Sequence, residues 1–119
     1  MRICALGGAG HIGSGVVREL VKRAPDAEVV IADKKLEEAK SLAKELGGKT
    51  SAEPVNANDP KSLVRVMKGV DVVVSTIGPY YVYGVKALKA AIDAKTNFVD
   101  VDDDYDATKI CLDLDKEAK

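Results

Sequence analysis

Few of the residue types that build metal sites and disulfide frameworks occur in this chain. Its 119 residues include one histidine, His11, and two cysteines, Cys4 and Cys111, with no CxxC spacing. Metal centres and disulfide frameworks need such residues in clusters or at paired spacings. We therefore predict no metal site and two reduced, buried thiols, since free cysteine is among the most often buried residue types.

Excess charge and long apolar runs are also lacking. Lys and Arg number 18 against 19 Asp and Glu, so the net charge of -1 offers no overall positive field to hold nucleic acid or an anionic membrane. No stretch approaches the roughly eighteen consecutive apolar residues of a membrane span, and Arg2–Leu6 is too short for a signal-peptide core. We expect a cytoplasmic protein without nucleic-acid or membrane partners, in which any phosphate site is local.

The length and pattern of the chain indicate one domain, residues 1–119, with no repeat or linker. Short apolar runs alternate with segments of helical period from end to end, which is typical of βαβ units that wind a parallel sheet. The sequence predicts an α/β fold: a Rossmann-like doubly wound parallel sheet of about five strands in three layers, α/β/α.

Predicted strands and helices alternate along the chain. The strands are Arg2–Leu6, Glu28–Ala32, Thr50–Asn56, Val70–Ser75 and Phe98–Val101. The helices are Ile12–Arg23, Leu36–Leu46, one that begins at Pro60 and ends at Gly69, Gly84–Ala94, and a last one around Ala107–Leu114. The apolar side of the first helix, which we expect to face the sheet, consists of Ile12, Val16, Val17, Leu20 and Val21.

Two features indicate where strands lie in the sheet. Pro54 has no N–H to donate to a ladder, so the third strand belongs at an edge, as it does in the doubly wound order 3-2-1-4-5. The triplet Val72-Val73-Val74 is apolar on both faces, as expected of a central parallel strand. No sixth strand follows the last helix, so the chain is either the front part of a longer protein or a five-stranded domain.

A glycine string, Gly8-Ala9-Gly10-His11-Ile12-Gly13, joins the first strand to the first helix. In a dinucleotide-binding turn the first glycine allows the tight turn, the second lets the backbone approach a pyrophosphate, and the third lets the helix pack on the strand. The N–H groups at the helix start would face the anion and replace the basic side chains that this turn lacks. We expect His11 to line the turn rather than to transfer protons.

An acidic residue, Asp33, follows the second strand at the spacing of the ribose-binding carboxylate of such folds. A carboxylate there can accept both adenosine ribose hydroxyls and would repel a 2′-phosphate, which favours NAD. Lys34 and Lys35 could instead neutralise a 2′-phosphate, which keeps NADP as the alternative cofactor. Asn58 and Asp59 follow the third strand near the expected adenine pocket, although Asp59 is more typical of a helix cap.

The ends of the fourth and fifth strands add candidate residues, since open α/β sheets bind ligands at this edge. We assign to the cofactor site Thr76, Ile77, Gly78 and Pro79. We assign to a substrate site Tyr80, Tyr81, Asp100 and Asp102. The tyrosines suit a domain contact equally well, and the carboxylates suit a solvated cap.

Three segments in this order resemble the N-terminal part of the saccharopine dehydrogenase family: GGAGHIG (7–13), DVVVSTIGPYY (71–81) and NFVDVDDDY (97–105). The glycine turn is general to Rossmann proteins, whereas Gly78-Pro79-Tyr80 and Val99-Asp100 are more particular. The resemblance covers essentially the whole chain and implies NAD(P)-dependent hydride transfer at a C–N bond of amino acids or imines. By position it implies these roles: Gly8, Gly10 and Gly13 on the pyrophosphate, Asp33 on the ribose, and Ile77-Gly78-Pro79 on the nicotinamide side.

Members of that family carry a second domain that binds substrate and closes the site. The resemblance therefore implies an amino-acid-like substrate that meets the cofactor through a domain missing from these 119 residues. This chain alone would then bind the cofactor without turnover. Whether it forms a homo-oligomer is left open by the sequence. The alternative is a dinucleotide-sensing regulatory module without catalysis, because its sheet and glycine turn would look the same.

Overall fold

The structure is a computed structural model that describes residues 1–77 and 80–100, with the backbone alone at 80–82. Strands and helices alternate throughout this part of the chain. The strands are β1 (Arg2–Leu6), β2 (Glu28–Asp33), β3 (Thr50–Pro54), β4 (Val72–Ser75) and β5 (Asn97–Asp100). The helices are α1 (His11–Arg23), α2 (Leu36–Leu46), α3 (Pro60–Met67) and α4 (Tyr80–Asp93). The helix predicted at Ala107–Leu114 and the second cysteine, Cys111, lie outside the described residues.

All five strands pair in parallel in the order β3-β2-β1-β4-β5, which confirms the predicted doubly wound arrangement. Pro54 ends β3 and lies opposite Asp33 of β2, so its missing N–H falls on the strand at the edge of the described sheet. Because every strand runs the same way, the strands end together along one edge, and the loops that follow them lie close to one another.

Helices cover both faces of the sheet and give three layers. On one face α1 and α2 pack on β1 and β2 around Val17, Ala39 and Leu42. On the other face α3 and α4 pack on β1 and β4 around Leu63, Met67 and Ala87. The alternation of side chains along β1 sends Ala5 to the first core and Cys4 to the second, so a central strand is buried on both faces.

The structure differs from the sequence prediction at the start of two helices. Ile12 was expected to face the sheet, but it is 59% exposed, because the first turn of α1 approaches the preceding turn through Gly13 instead. Helix α4 begins at Tyr80 rather than at Gly84, which is buried within the helix. Within the two described ranges, no helix combines the length and the hydropathy needed to cross a bilayer.

Candidate functional site

A cleft of about 660 Å³ opens at the edge of the sheet where the strands end. The loops after β1, β2, β3 and β4 contribute its walls, together with side chains from α3 and α4. Its lining residues are Gly7, Gly10, Asp33, Lys34, Lys35, Pro54, Val55, Asn56, Ala57, Asn58, Ser62, Arg65, Thr76, Ile77 and Tyr83. The cleft therefore gathers six residues that the sequence assigns to a cofactor: Gly10, Asp33, Lys34, Asn58, Thr76 and Ile77.

The turn that joins β1 to α1 is held by backbone hydrogen bonds. Its left-handed residue is Gly7, at φ +76°, one position before the predicted glycine string. The Gly7 N–H donates to the Ala32 carbonyl at 2.8 Å, and the Gly7 carbonyl accepts from the Gly10 N–H at 3.1 Å. Since a side chain at φ +76° would be strained, the tight turn depends on Gly7.

Gly13 allows the closest approach in this turn. A Cβ atom built there would overlap the Gly7 carbonyl oxygen and lie 2.7 Å from the Thr76 hydroxyl oxygen. At Gly10 a Cβ would meet only the Gly7 carbonyl oxygen, at 3.3 Å, so the backbone of Gly10 borders open space on the cleft side. This cradle, which side chains would fill, fits the close approach of a pyrophosphate.

The N-terminus of α1 lies at this turn and has no side-chain cap. Gly10 occupies the N-cap position, and the first turn holds no acidic residue. The N–H groups of His11, Ile12 and Gly13 precede the first intrahelical donor, Ser14, so they carry the positive end of the helix dipole. His11 and Ile12 are exposed and do not line the cleft, so their contribution to an anion would be limited to the N–H groups at the start of α1.

Asp33 is 8% exposed, and its carboxylate accepts hydrogen bonds from two backbone amides. One oxygen accepts from the Ala9 N–H at 3.0 Å, and the other accepts from the Lys35 N–H at 2.9 Å. These bonds fasten the glycine turn to the end of β2 and offset part of the negative charge. A carboxylate has about four acceptor positions, so two remain for a ribose hydroxyl.

Three basic residues line the cleft together with Asp33 near the end of β2. Lys34 and Lys35 follow it directly, and both are exposed. Arg65 reaches the same place from α3, where it donates to the Pro54 carbonyl at 2.6 Å. Among the residues that line the cleft, Lys34, Lys35 and Arg65 outnumber the acidic Asp33, so the lining is net positive although the chain as a whole is nearly neutral.

Asn58 and Tyr83 form the wall of the cleft on the side of α4. The Lys86 ammonium donates to the Asn58 side-chain oxygen at 3.2 Å and lies 5.7 Å from the centre of the Tyr83 ring. Lys86 thus ties the loop after β3 to α4. Asp59 does not line the cleft; its carboxylate accepts from the Lys61 N–H at 3.0 Å and caps α3.

Thr76 connects the end of β4 to the glycine turn. Its hydroxyl oxygen lies 3.2 Å from the carbonyl oxygens of both Leu6 and Gly7. Next to it along β4, Ser75 is buried, and its hydroxyl has no hydrogen-bond partner within the residues that the structure describes. Asp100, at the end of β5, lies opposite Ser75 in the sheet and is half-buried.

Some predicted site residues lie outside the described part of the chain. These are Gly78, Pro79, Asp102 and the side chains of Tyr80 and Tyr81. Their assignments to the cofactor and the substrate stay predictions.

Gly7 and Arg65 are two of the lining residues that sequence reasoning did not assign to the site. Gly7 precedes the G-x-G-x-x-G pattern, and its only signal was a second glycine beside Gly8. Arg65 stands far from Asp33 in sequence, and its place in the cleft depends on the pairing of β3 with β2. A basic residue in the first two turns of the helix after β3 is the signal that a topology-based search could use.

Residues 3–119 match the family model described as the saccharopine dehydrogenase NADP binding domain. The chain belongs to this family. The family description names NADP, whereas the sequence alone favoured NAD and kept NADP as the alternative. As a member of this family, the chain is an NAD(P)-binding domain of an oxidoreductase family.

The chain is also similar to individual proteins and solved structures. Saccharopine dehydrogenase (L-Glu forming) of Saccharomyces cerevisiae is 28% identical with a TM-score of 0.80, over 98% of this chain and 24% of that one. A Mycobacterium tuberculosis protein named as a candidate trans-acting enoyl reductase is 26% identical over 83% of this chain and 24% of its own length. The triphenylmethane reductase of Citrobacter sp. shares the fold, with a TM-score of 0.77 at 21% identity over 99% of this chain and 45% of that one. The chain spans about a quarter of the curated relatives that it matches.

Proposed function

We propose that the cleft binds NADP(H) in preference to NAD(H), as the cofactor-binding domain of an oxidoreductase. The observation that carries the preference is the positive charge around Asp33. Lys34, Lys35 and Arg65 line the cleft there, while the Asp33 carboxylate is held by two backbone amides. A 2′-phosphate would meet these cations, and the amides weaken the repulsion that a free carboxylate would exert.

Each part of the cleft has a proposed role in holding the dinucleotide. The turn Gly8–Gly13 and the start of α1 would hold the pyrophosphate through backbone N–H groups. Asp33 would accept a ribose hydroxyl, and Asn58 would border the adenosine half. The cofactor supplies the hydride when bound, and the residues of this chain bind and orient it. On the nicotinamide side we keep Ile77, Gly78 and Pro79 as proposals.

Calorimetric titration of the purified protein with NADPH and with NADH tests this proposal. We expect NADPH to bind about tenfold more tightly, the factor that 1.4 kcal/mol of phosphate recognition provides. The difference should shrink as salt is raised, because the phosphate contacts are exposed. Equal affinities, or tighter binding of NADH, would reject the NADP preference, and binding of neither would reject the site.

The bond that is reduced is a finer proposal. The likeness to saccharopine dehydrogenase supports hydride transfer at a C–N bond of an amino-acid-derived substrate, with Tyr80, Tyr81, Asp100 and Asp102 on the substrate side. The likeness to a protein named as an enoyl reductase supports a C=C bond instead. Because the chain covers 24% of each relative, we propose that the residues that choose the substrate lie mostly outside it.

A comparison of substrate classes separates the two chemistries. NADPH oxidation by the complete gene product is followed with an amino acid plus a 2-oxo acid, which form an imine, and separately with an enoyl thioester. The proposal of C–N chemistry expects oxidation with the first mixture. Oxidation with the thioester alone would replace it with enoyl reduction.

A further inference from the structure

The edge strand β3 and helix α3 bring a guanidinium to the end of β2. Arg65 donates to the Pro54 carbonyl at 2.6 Å and to the Glu53 carboxylate at 3.4 Å. Pro54 pairs in register with Asp33, so this guanidinium lies beside the strand end where Lys34 and Lys35 begin. All three basic side chains line the same cleft.

We propose that Arg65 is a specificity-determining residue that binds the adenosine 2′-phosphate, and that Glu53 tunes its strength by competing for the guanidinium. The proposal rests on the proposed function, since it names the group that selects NADP(H). It adds a residue from α3 to the lysines that follow β2 and a counter-charge from β3.

The donor count supports this role. Arginine has five N–H donors in a planar fork, and Arg65 uses two of them within the described part of the chain. The remaining three suit phosphate oxygens, because the fork matches phosphate geometry in a way that a lysine ammonium does not. The bond to the Pro54 carbonyl fixes the group in place, so less side-chain freedom is lost when phosphate binds.

The ion pair with Glu53 explains how the affinity could be tuned. Both side chains are about half exposed, and an exposed pair of this kind contributes little to folding. Within the described residues, Glu53 is the acidic group that pairs with the Arg65 guanidinium, at 3.4 Å, whereas the Asp33 carboxylate is held by two backbone amides. A 2′-phosphate would therefore compete with one carboxylate for Arg65, and removal of that carboxylate should favour the phosphate.

The test compares NADPH and NADH, which differ only by the 2′-phosphate, in calorimetric titrations of Arg65→Gln and the unaltered protein. We expect the dissociation constant for NADPH to rise about tenfold or more, the loss of one charge-assisted contact, while that for NADH stays unchanged. Arg23→Gln is the matched control, because Arg23 also pairs with a glutamate, Glu19, but lies at the far end of α1. It should alter neither affinity.

Glu53→Gln gives a second, opposite readout. It should tighten NADPH about threefold, the size of a surface ion pair, and leave NADH unchanged. Arg65→Lys should keep part of the NADPH preference, since it retains the charge without the fork. These two variants decide the question if Arg65→Gln does not fold.

The outcomes separate the inference from the proposed function. If the unaltered protein prefers NADPH but Arg65→Gln weakens both cofactors equally, the guanidinium stacks on the base or supports the loop, and the inference fails while the proposed function stands. The inference also fails if neither affinity changes, or if Glu53→Gln weakens NADPH. If the unaltered protein binds neither cofactor, the proposed function itself fails.

Discussion

At Gly13 the first turn of α1 comes so close to the preceding turn that no side-chain atom fits between them. The neighbours are the Gly7 carbonyl and the Thr76 hydroxyl. Gly15, one half-turn further along the same helix, has nothing within 4 Å of a Cβ position. The two glycines therefore differ physically, in agreement with the sequence pattern, which includes Gly13 as its third glycine and does not include Gly15.

Alanine at these two positions should have opposite effects. Gly13→Ala should lower the free energy of unfolding by about 1–3 kcal/mol, because the turn must open to admit the methyl group. Gly15→Ala should raise it by about 0.5–1 kcal/mol through better helix propensity. Urea denaturation of both variants measures the difference. A destabilised Gly15→Ala beside an unaffected Gly13→Ala would contradict the packing described for this turn.

Asp33 has a structural role that can be separated from ligand binding. Asp33→Ala should lower the free energy of unfolding by about 1–3 kcal/mol without any ligand, because the Ala9 and Lys35 amides lose their acceptor. Asp26→Ala, at an exposed carboxylate in the turn before β2, is the control and should change little. If the two variants denature alike, the carboxylate does not hold the turn.

The Cys4 thiol gives a pH dependence of known sign. Burial raises its pKa to about 12, against a smaller opposing effect of the Arg2 charge. Above the unfolded value of 9.0 the unfolded thiol ionises while the folded one keeps its proton, so the free energy of unfolding falls with rising pH. From about pH 9 to about pH 10 the unaltered protein should lose up to about 1.4 kcal/mol more than Cys4→Ala. Equal slopes of stability against pH would show that Cys4 is not buried.

At the scale of single residues, the sequence predicts side chains whose role follows from strand ends. Asp33 was predicted because a carboxylate at the end of the second strand, beside a glycine turn, commonly binds the ribose of a dinucleotide. Gly7 was not predicted, because only the backbone conformation distinguishes it from its neighbour Gly8. Arg65 was not predicted, because its place beside Pro54 and the end of β2 depends on how α3, β3 and β2 pack.

Helix α3 shows how one element is delimited by its own residues. Asp59 accepts from the Lys61 N–H, and Pro60 follows at the first helical position, where a missing N–H leaves no bond unmade. The chain order of this pair allowed the start of the helix to be predicted. It also explains why Asp59 faces its own helix and not the cleft.

Loss of this cap should weaken the element and, through Arg65, the cleft. Asp59→Ala should lower the free energy of unfolding by about 1 kcal/mol. Asp59→Asn should keep most of the stabilisation that the cap contributes, since asparagine caps a helix as well as aspartate does. Thermal denaturation of the pair measures this. Equal losses in both variants would mean that charge, and not the cap bond, is what Asp59 supplies.

Other helix limits were harder to predict. Helix α4 starts four residues before Gly84 because no helix-breaking residue stands between Tyr80 and Gly84, and the apolar pattern alone did not reveal the extra turn. Ile12 fits the apolar stripe of α1 by spacing, but periodicity cannot say that the first turn approaches the preceding turn through Gly13 instead. Element ends depend on how neighbours pack as much as on local sequence.

At the scale of the whole described sheet, two local features agree with the observed strand order: the proline in β3, an edge strand, and the apolar triplet in β4, an inner strand. Because strands alternate with helices and all described strands are parallel, the ends of β1, β2, β3 and β4 lie around one cleft. The sequence predicted this edge as the binding edge, but the distribution of charge along it required the folded chain. The basic end of the cleft and the uncapped N-terminus of α1 support the central claim, which is that the cleft holds a dinucleotide across the glycine turn.

Amide chemical shifts of the ¹⁵N-labelled protein during titration with NADPH test that claim most directly. We predict the largest changes at the N–H groups of His11, Ile12 and Gly13 and at Lys35, with Lys22 and Arg23 at the far end of α1 unaffected. A response centred on the groove between α1 and α2, at Arg18 and Glu45, or no response at the glycine turn, would contradict it.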